Sequence, residues 1–171
     1  WYPWSGKVNG NTPGRYRLAF RRVSARFKAA GGKRLQIMWS PYVRSIPDRT
    51  GNEFAVYYPG AKHVNIVGVS GYNFGNVKGL AWTEPYDLFR VAYRDIIAIA
   101  PKPFWIAETG STNKGGDKSL WMTRLLKLDS RLPRLKGVVW YDVKERSGDF
   151  RVRQNKRTSR VFAAQVRRRA R

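Results

Sequence analysis

Four short apolar runs lie between segments of helical period, and this alternation constrains the fold more than any other feature of the chain. The runs are Leu35 to Trp39, Asn65 to Val69, Phe104 to Ala107 and Gly137 to Tyr141. None alternates with polar residues, as expected for strands covered on both faces. Between them, Thr12-Pro13 signals a helix start, and Tyr16, Phe20, Val23 and Phe27 follow at helical spacing until Gly31-Gly32. Pro85 opens a second helix carrying Leu88, Phe89, Ala92, Ile96 and Ile99, which Pro101 stops. Asp117 caps a third, with Leu120, Trp121, Leu125 and Leu128, and a last helix is expected from Thr158 or Ser159.

Doubly buried strands alternating with helices belong to a parallel α/β sheet, either open and doubly wound or closed as a barrel. No glycine-rich phosphate fingerprint follows any strand, which disfavours a nucleotide-binding open sheet. A complete (β/α)8 barrel takes about 250 residues and seldom fewer than about 200. The 171 residues here, opening on Trp1 rather than methionine, are therefore expected to form one incomplete domain over 1–171. Four βα units alone leave two sheet edges unpaired, so self-association is expected to be one way of closing them.

Composition narrows the chemistry. The chain has no cysteine and one histidine, His63, so neither thiolate metal sites nor imidazole pairs are available and no cofactor is expected. No stretch of about 18 apolar residues suggests a membrane helix. The formal charge of +23 raises nucleic acid or another polyanion as a partner. Most Lys and Arg residues are scattered, which favours a solvated surface. After Asp149 the charge runs unopposed, and a basic helix or tail is expected over about 151–171.

In parallel barrels the working residues sit where strands end, and Glu108 directly follows Phe104-Trp105-Ile106-Ala107. A carboxylate there is either tied by structural hydrogen bonds or used. The other strand ends carry Trp39-Ser40-Pro41, Ser70-Gly71-Tyr72-Asn73 and Trp140-Tyr141-Asp142. Aromatic rings with nearby hydroxyl, amide and carboxyl groups are the usual lining of a carbohydrate cleft, although any one tryptophan could equally be core.

These segments in order resemble family 26 of the glycoside hydrolases, best known for endo-β-1,4-mannanases. The resemblance runs through Trp1-Tyr2-Pro3-Trp4, the segment Tyr16 to Val23, Trp39-Ser40-Pro41, Tyr57-Tyr58-Pro59-Gly60 and Ser70-Gly71-Tyr72-Asn73. It continues through Ile106-Ala107-Glu108-Thr109-Gly110-Ser111, Val139-Trp140-Tyr141 and Asp149-Phe150-Arg151-Val152. It implies a partial (β/α)8 TIM barrel holding strands five to eight and a retaining mechanism with Glu108 as nucleophile on strand seven. Tyr72 would orient Glu108, Trp140 would floor the cleavage subsite, and Trp1 would flank it. Trp39, Asn73 and, more distantly, Trp82 would touch substrate.

Retaining hydrolysis needs two carboxyl groups about 5 to 5.5 Å apart. The resemblance puts the acid/base at the end of strand four, in a His-Glu-x-Asn-Gly-type motif, so it is expected upstream of Trp1. Ala61-Lys62-His63 and Asn65 stand where acidic residues are common in the family, which leaves open mannan, glucan or xylan as substrate. The expected protein is a secreted, extracellular β-glycan hydrolase whose chain as given is weak or inactive. The alternative is a basic nucleic-acid- or polysaccharide-binding protein without catalysis.

Overall fold

The computed structural model describes residues 3, 5–6, 8–32, 34–48, 50–77 and 79–169. Its frame is a four-stranded sheet of β1 (Met38–Trp39), β2 (Ile66–Asn73), β3 (Phe104–Ser111) and β4 (Leu135–Trp140), in the order β1-β2-β3-β4 and parallel throughout. Helices α1 (Pro13–Ala29), α2 (Phe54–Tyr57), α3 (Pro85–Ile99), α4 (Lys118–Leu125) and α5 (Lys156–Arg169) supply the second layer. A short antiparallel pair, β5 (Lys144–Glu145) and β6 (Gly148–Asp149), follows β4. Parallel strands in sequential order joined by helices are the partial α/β barrel expected from the sequence.

The helix ends follow their local chemistry. Thr12 accepts from the amide of Arg15 ahead of Pro13, and Asp117 Oδ1 accepts from the amides of Ser119 at 2.8 Å and Leu120 at 3.1 Å. Pro85 sits in the first turn of α3, where its missing N–H costs nothing. α5 starts at Lys156, two residues before the expected Thr158, because Asn155 Oδ1 accepts from the Thr158 amide and caps the turn one step earlier.

One face of the sheet is packed. Val67 and Val69 of β2 and Phe104 and Ile106 of β3 are fully buried against Phe89, Ala92 and Ile96 of α3 and Trp121 and Leu125 of α4. At about 25 cal/mol per Å² of apolar surface removed from water, this layer is the main favourable term of the fold. The predicted apolar stripe of α1 is only half used. Tyr16 and Phe20 pack on the core, but Val23 and Phe27 stay 54% and 52% exposed, because α1 lies mainly against α2 and the turn at Ala61–His63. Leu120, expected inside, is 44% exposed on the outer side of α4.

The strands are also longer than the apolar runs. β2 reaches Asn73 and β3 reaches Ser111, so the polar strand ends Ser70 to Asn73 and Glu108 to Ser111 are themselves paired, through Ser70↔Glu108 to Asn73↔Ser111. The site is therefore built on sheet rather than on loops.

Candidate active site

The position of Glu108 is set by an irregularity in β3. Val69 of β2 faces Ile106, but the next β2 residue, Ser70, faces Glu108, so β3 carries one extra residue, Ala107. On the other side Ile106 faces Val138 and Thr109 faces Trp140, three residues of β3 against two of β4. This is a β-bulge, which re-aims the side chains that follow it. Phe104 and Ile106 point into the helix layer. With strict alternation Glu108 would follow them into apolar core, where an unpaired carboxylate is costly. The extra residue turns Glu108 onto the opposite face, opposite Ser70, where it is half-buried.

That face holds a row across three chain segments. The turn after β1 runs alongside β2: Ser70 donates to the Pro41 carbonyl at 3.0 Å, Val43 donates to the Ser70 carbonyl at 2.9 Å, and Tyr42 forms a parallel bridge with Ser70. Gly71 permits this approach, since a Cβ there would meet Val43 Cγ1 at 2.5 Å. Tyr42, Ser70 and Glu108 thus stand side by side. Tyr42 was not singled out from the sequence, because only the bridge to Ser70 brings it to the row. Among the described residues the Glu108 side chain makes no hydrogen bond or ion pair.

One step along the strands is an aromatic wall. The Tyr72 ring lies 5.6 Å from Tyr141, 5.7 Å from Phe74 and 5.7 Å from Phe150, and Tyr141 lies 5.8 Å from Phe150. Phe150 is buried over β3 where Gly110 leaves room, since a Cβ at 110 would come within 2.9 Å of its ring. Tyr72 pairs with Gly110 and so stands two residues beyond Ser70 on the face of Glu108.

The segment bearing Phe150 is tied down by Lys118, a lysine with no exposed surface. Its Nζ donates to the carbonyls of Asp149 at 2.7 Å and Arg151 at 3.2 Å and to Gln154 Oε1 at 2.5 Å. Burial pulls this ammonium down from 10.5 to about 8, with Arg151 pushing the same way and Asp149 and Asp142 opposing. Asp149 is held down at about 2, chiefly by its bidentate hydrogen bonds from the Arg151 guanidinium at 3.0 and 2.8 Å.

The other sequence-chosen residues divide. Trp140 pairs with Thr109, one residue past Glu108, and its ring turns to the helix side, 6.0 Å from Trp121 and beside Phe162 and Val166 of α5. Its Nε1 donates to the Phe150 carbonyl at 2.8 Å, and the residue that joins Tyr72 is its neighbour Tyr141. Trp39 is fully buried against Tyr58. Asn73 is buried and spent: it donates to Ser111 Oγ at 2.9 Å and accepts from the amides of Gly75 and Thr83. Trp82 is partly buried and donates to Glu84 at 3.0 Å. Trp1 lies outside the described residues. Among the described residues no group of three His, Cys, Asp or Glu side chains could hold a metal, and no helix is long and apolar enough to cross a membrane.

No protein-family model matches the chain. It is 33% identical over 129 residues to Endoglucanase H of Acetivibrio thermocellus, a match covering 72% of this chain and 14% of that protein. A GH26 β-mannanase from Bacteroides ovatus superposes with a TM-score of 0.62 at 19% identity, over 91% of this chain and 44% of that one. The chain has the fold of a family 26 glycoside hydrolase. An endo-β-1,4-glucanase from Xanthomonas axonopodis pv. citri shares the same barrel, with a TM-score of 0.62 at 12% identity over 91% of this chain and 55% of that one. The chain therefore spans about half the length of these solved barrels and a seventh of Endoglucanase H. In the family 26 fold, four parallel strands in this order are half of an eight-stranded barrel, and Glu108 stands in the C-terminal half of the third.

Proposed function

We propose that this chain carries the nucleophile half of a retaining β-glycan hydrolase, with Glu108 attacking the anomeric carbon. The observation that supports this most is the bulge of β3. It lifts a carboxylate out of the core onto the open face, its side chain free of hydrogen bonds among the described residues, in the row with Tyr42 and one step along the strands from the Tyr72–Tyr141 pair. A carboxylate fixed on a strand, rather than on a loop, is held in the narrow range of geometry that attack requires.

In such a reaction the Glu108 oxygen forms a bond to the anomeric carbon as the glycosidic oxygen leaves with a proton, and water then releases the sugar from the glutamyl ester. The proton donor is a second carboxyl group about 5 to 5.5 Å away, and none of the described carboxylates stands beside Glu108 in the row. Tyr72, on the same face two residues further along β2, would orient Glu108 once substrate is bound. β-1,4-Mannan is the substrate the likeness to a GH26 β-mannanase favours, and the endoglucanase relatives make β-1,4-glucan the second. A polymeric substrate implies an extracellular place of action.

The test uses dinitrophenyl β-mannobioside and β-cellobioside, whose leaving groups depart without a general acid. Slow release of dinitrophenol that Glu108→Gly abolishes, and that azide restores to the variant, supports the reading. Release unaffected by Glu108→Gly, or no release by either protein, counts against it. The basic-binding alternative has one observation in its favour, the charge of +23. It predicts retention by nucleic acid that falls steeply with salt and no retention by neutral mannan.

A further inference from the structure

Within the helix layer, a cleft of about 750 Å³ runs between the first turn of α3 and the end of α4 with the turn after it. Four cationic side chains line it, Arg90, Arg124, Lys127 and Arg131, against two carboxylates, Glu84 and Asp87. Both carboxylates are already committed. Arg124 Nη1 lies 2.8 Å from Glu84 Oε2, and Arg90 Nε lies 3.2 Å from Asp87 Oδ1. Lys127 is exposed and makes no side-chain hydrogen bond or ion pair among the described residues. The Arg131 guanidinium lies 3.3 Å above the centre of the Tyr86 ring, which fixes it in place by cation–π attraction and leaves its N–H edge for a ligand.

We infer that this cleft is a second binding site, for a carboxylate-bearing polysaccharide such as a uronate polymer, independent of any chemistry at Glu108. A planar guanidinium held flat on a tyrosine presents paired donors that match a carboxylate in two hydrogen bonds, and Lys127 adds an unpaired ammonium beside it. Single-stranded nucleic acid fits less well. Its binding relies on bare aromatic faces for base stacking, and the one aromatic ring lining this cleft, Tyr86, is covered by Arg131. A uronate chain needs no such face. Fold and charge then serve different contacts: the open face takes the glycan to be cut, and the cleft in the helix layer holds the chain to acidic polymer nearby.

The rival explanation is diffuse attraction from the whole +23 surface, and the experiment separates the two. Affinity electrophoresis through gels containing polygalacturonate, at moderate salt, is run on the wild-type chain and two double variants. One is Lys127→Ser with Arg131→Ser, in the cleft. The other is Arg22→Ser with Arg26→Ser, two exposed arginines on α1. Both remove the same charge, and neither touches a residue paired with an acid. The cleft variant is expected to bind about tenfold more weakly, the effect of losing one or two charge-assisted hydrogen bonds, and the α1 variant less than about twofold. Equal weakening in both variants would overturn the site in favour of diffuse charge. Tighter retention of single-stranded DNA of matched charge, weakened by the same cleft substitutions, would overturn the polysaccharide assignment. Because the gel reads binding alone, a failure of the catalytic reading leaves this result unchanged.

Discussion

Replacing Lys118 by methionine removes the one charged side chain among the described residues that is fully buried, and the structure sets the size of the effect. Three acceptors lose their donor: the carbonyls of Asp149 and Arg151 and Gln154 Oε1. Gln154 keeps its bond from Asn113 at 2.8 Å, so the two carbonyls carry the loss. Each polar group left unsatisfied costs about 1–3 kcal/mol, partly offset because methionine no longer buries an ammonium, for a net destabilisation of about 2 kcal/mol at pH 7. The sign of the pH dependence is fixed as well. Burial holds the folded ammonium at about 8, below the 10.5 of the unfolded chain, so between these values the unfolded state binds the extra proton and wild-type stability gains from rising pH. The methionine variant lacks this gain. Urea unfolding of both proteins at pH 7 and pH 9.5 should show a larger deficit for the variant at pH 9.5. A deficit that is absent at both values, or that shrinks at high pH, would refute this account of Lys118.

Other perturbations read other parts of the site. Gly110→Ala drives a methyl into the Phe150 ring and should cost about 1–3 kcal/mol by overpacking, read as a lower urea midpoint. Trp140→Ala should destabilise the chain by about 2–4 kcal/mol, because its ring packs on Trp121 under the helices; loss of sugar retention at unchanged stability would instead place the ring in the cleft. Asp149→Asn should remove an acid-sensitive step. In wild type the contribution of Asp149 is full above about 3.8 and is lost as pH falls through about 2, so wild type should lose more stability than the variant across that window in an acid titration.

Much of this architecture could be read from residues whose physics is local. Pro85 and Asp117 start α3 and α4 where their backbone and side-chain chemistry places a helix start, and the apolar runs at Val67 and Phe104 became buried strands. Glu108 stood out because it follows such a run. What could not be read depends on pairing. Nothing in Ile106-Ala107-Glu108-Thr109 announces a bulge, yet the bulge decides that Glu108 faces out and that Thr109, with Trp140 beside it, faces the helices. Tyr42 joined the site through a bridge between segments 28 residues apart, between Tyr42 and Ser70. Lys118 looked like a surface residue, as lysines generally are, because its acceptors lie more than 30 positions away at Asp149, Arg151 and Gln154. Asn73 illustrates the reverse: a strand-end amide that reads as a sugar contact is consumed by Ser111, Gly75 and Thr83.

The role of Glu108 is tested most directly by covalent trapping. Incubating the chain with 2-deoxy-2-fluoro-β-mannosyl fluoride, whose fluoride leaves without acid assistance, should build up a glycosyl ester, and peptide mass spectrometry locates it. The account predicts one added fluoromannosyl group on the peptide containing Glu108, and none in Glu108→Gln, whose stability should differ from wild type by less than about 0.5 kcal/mol because the carboxylate has no hydrogen bond or ion pair to lose among the described residues. A label on any other carboxylate, or no label on wild-type protein shown to be folded, would contradict it.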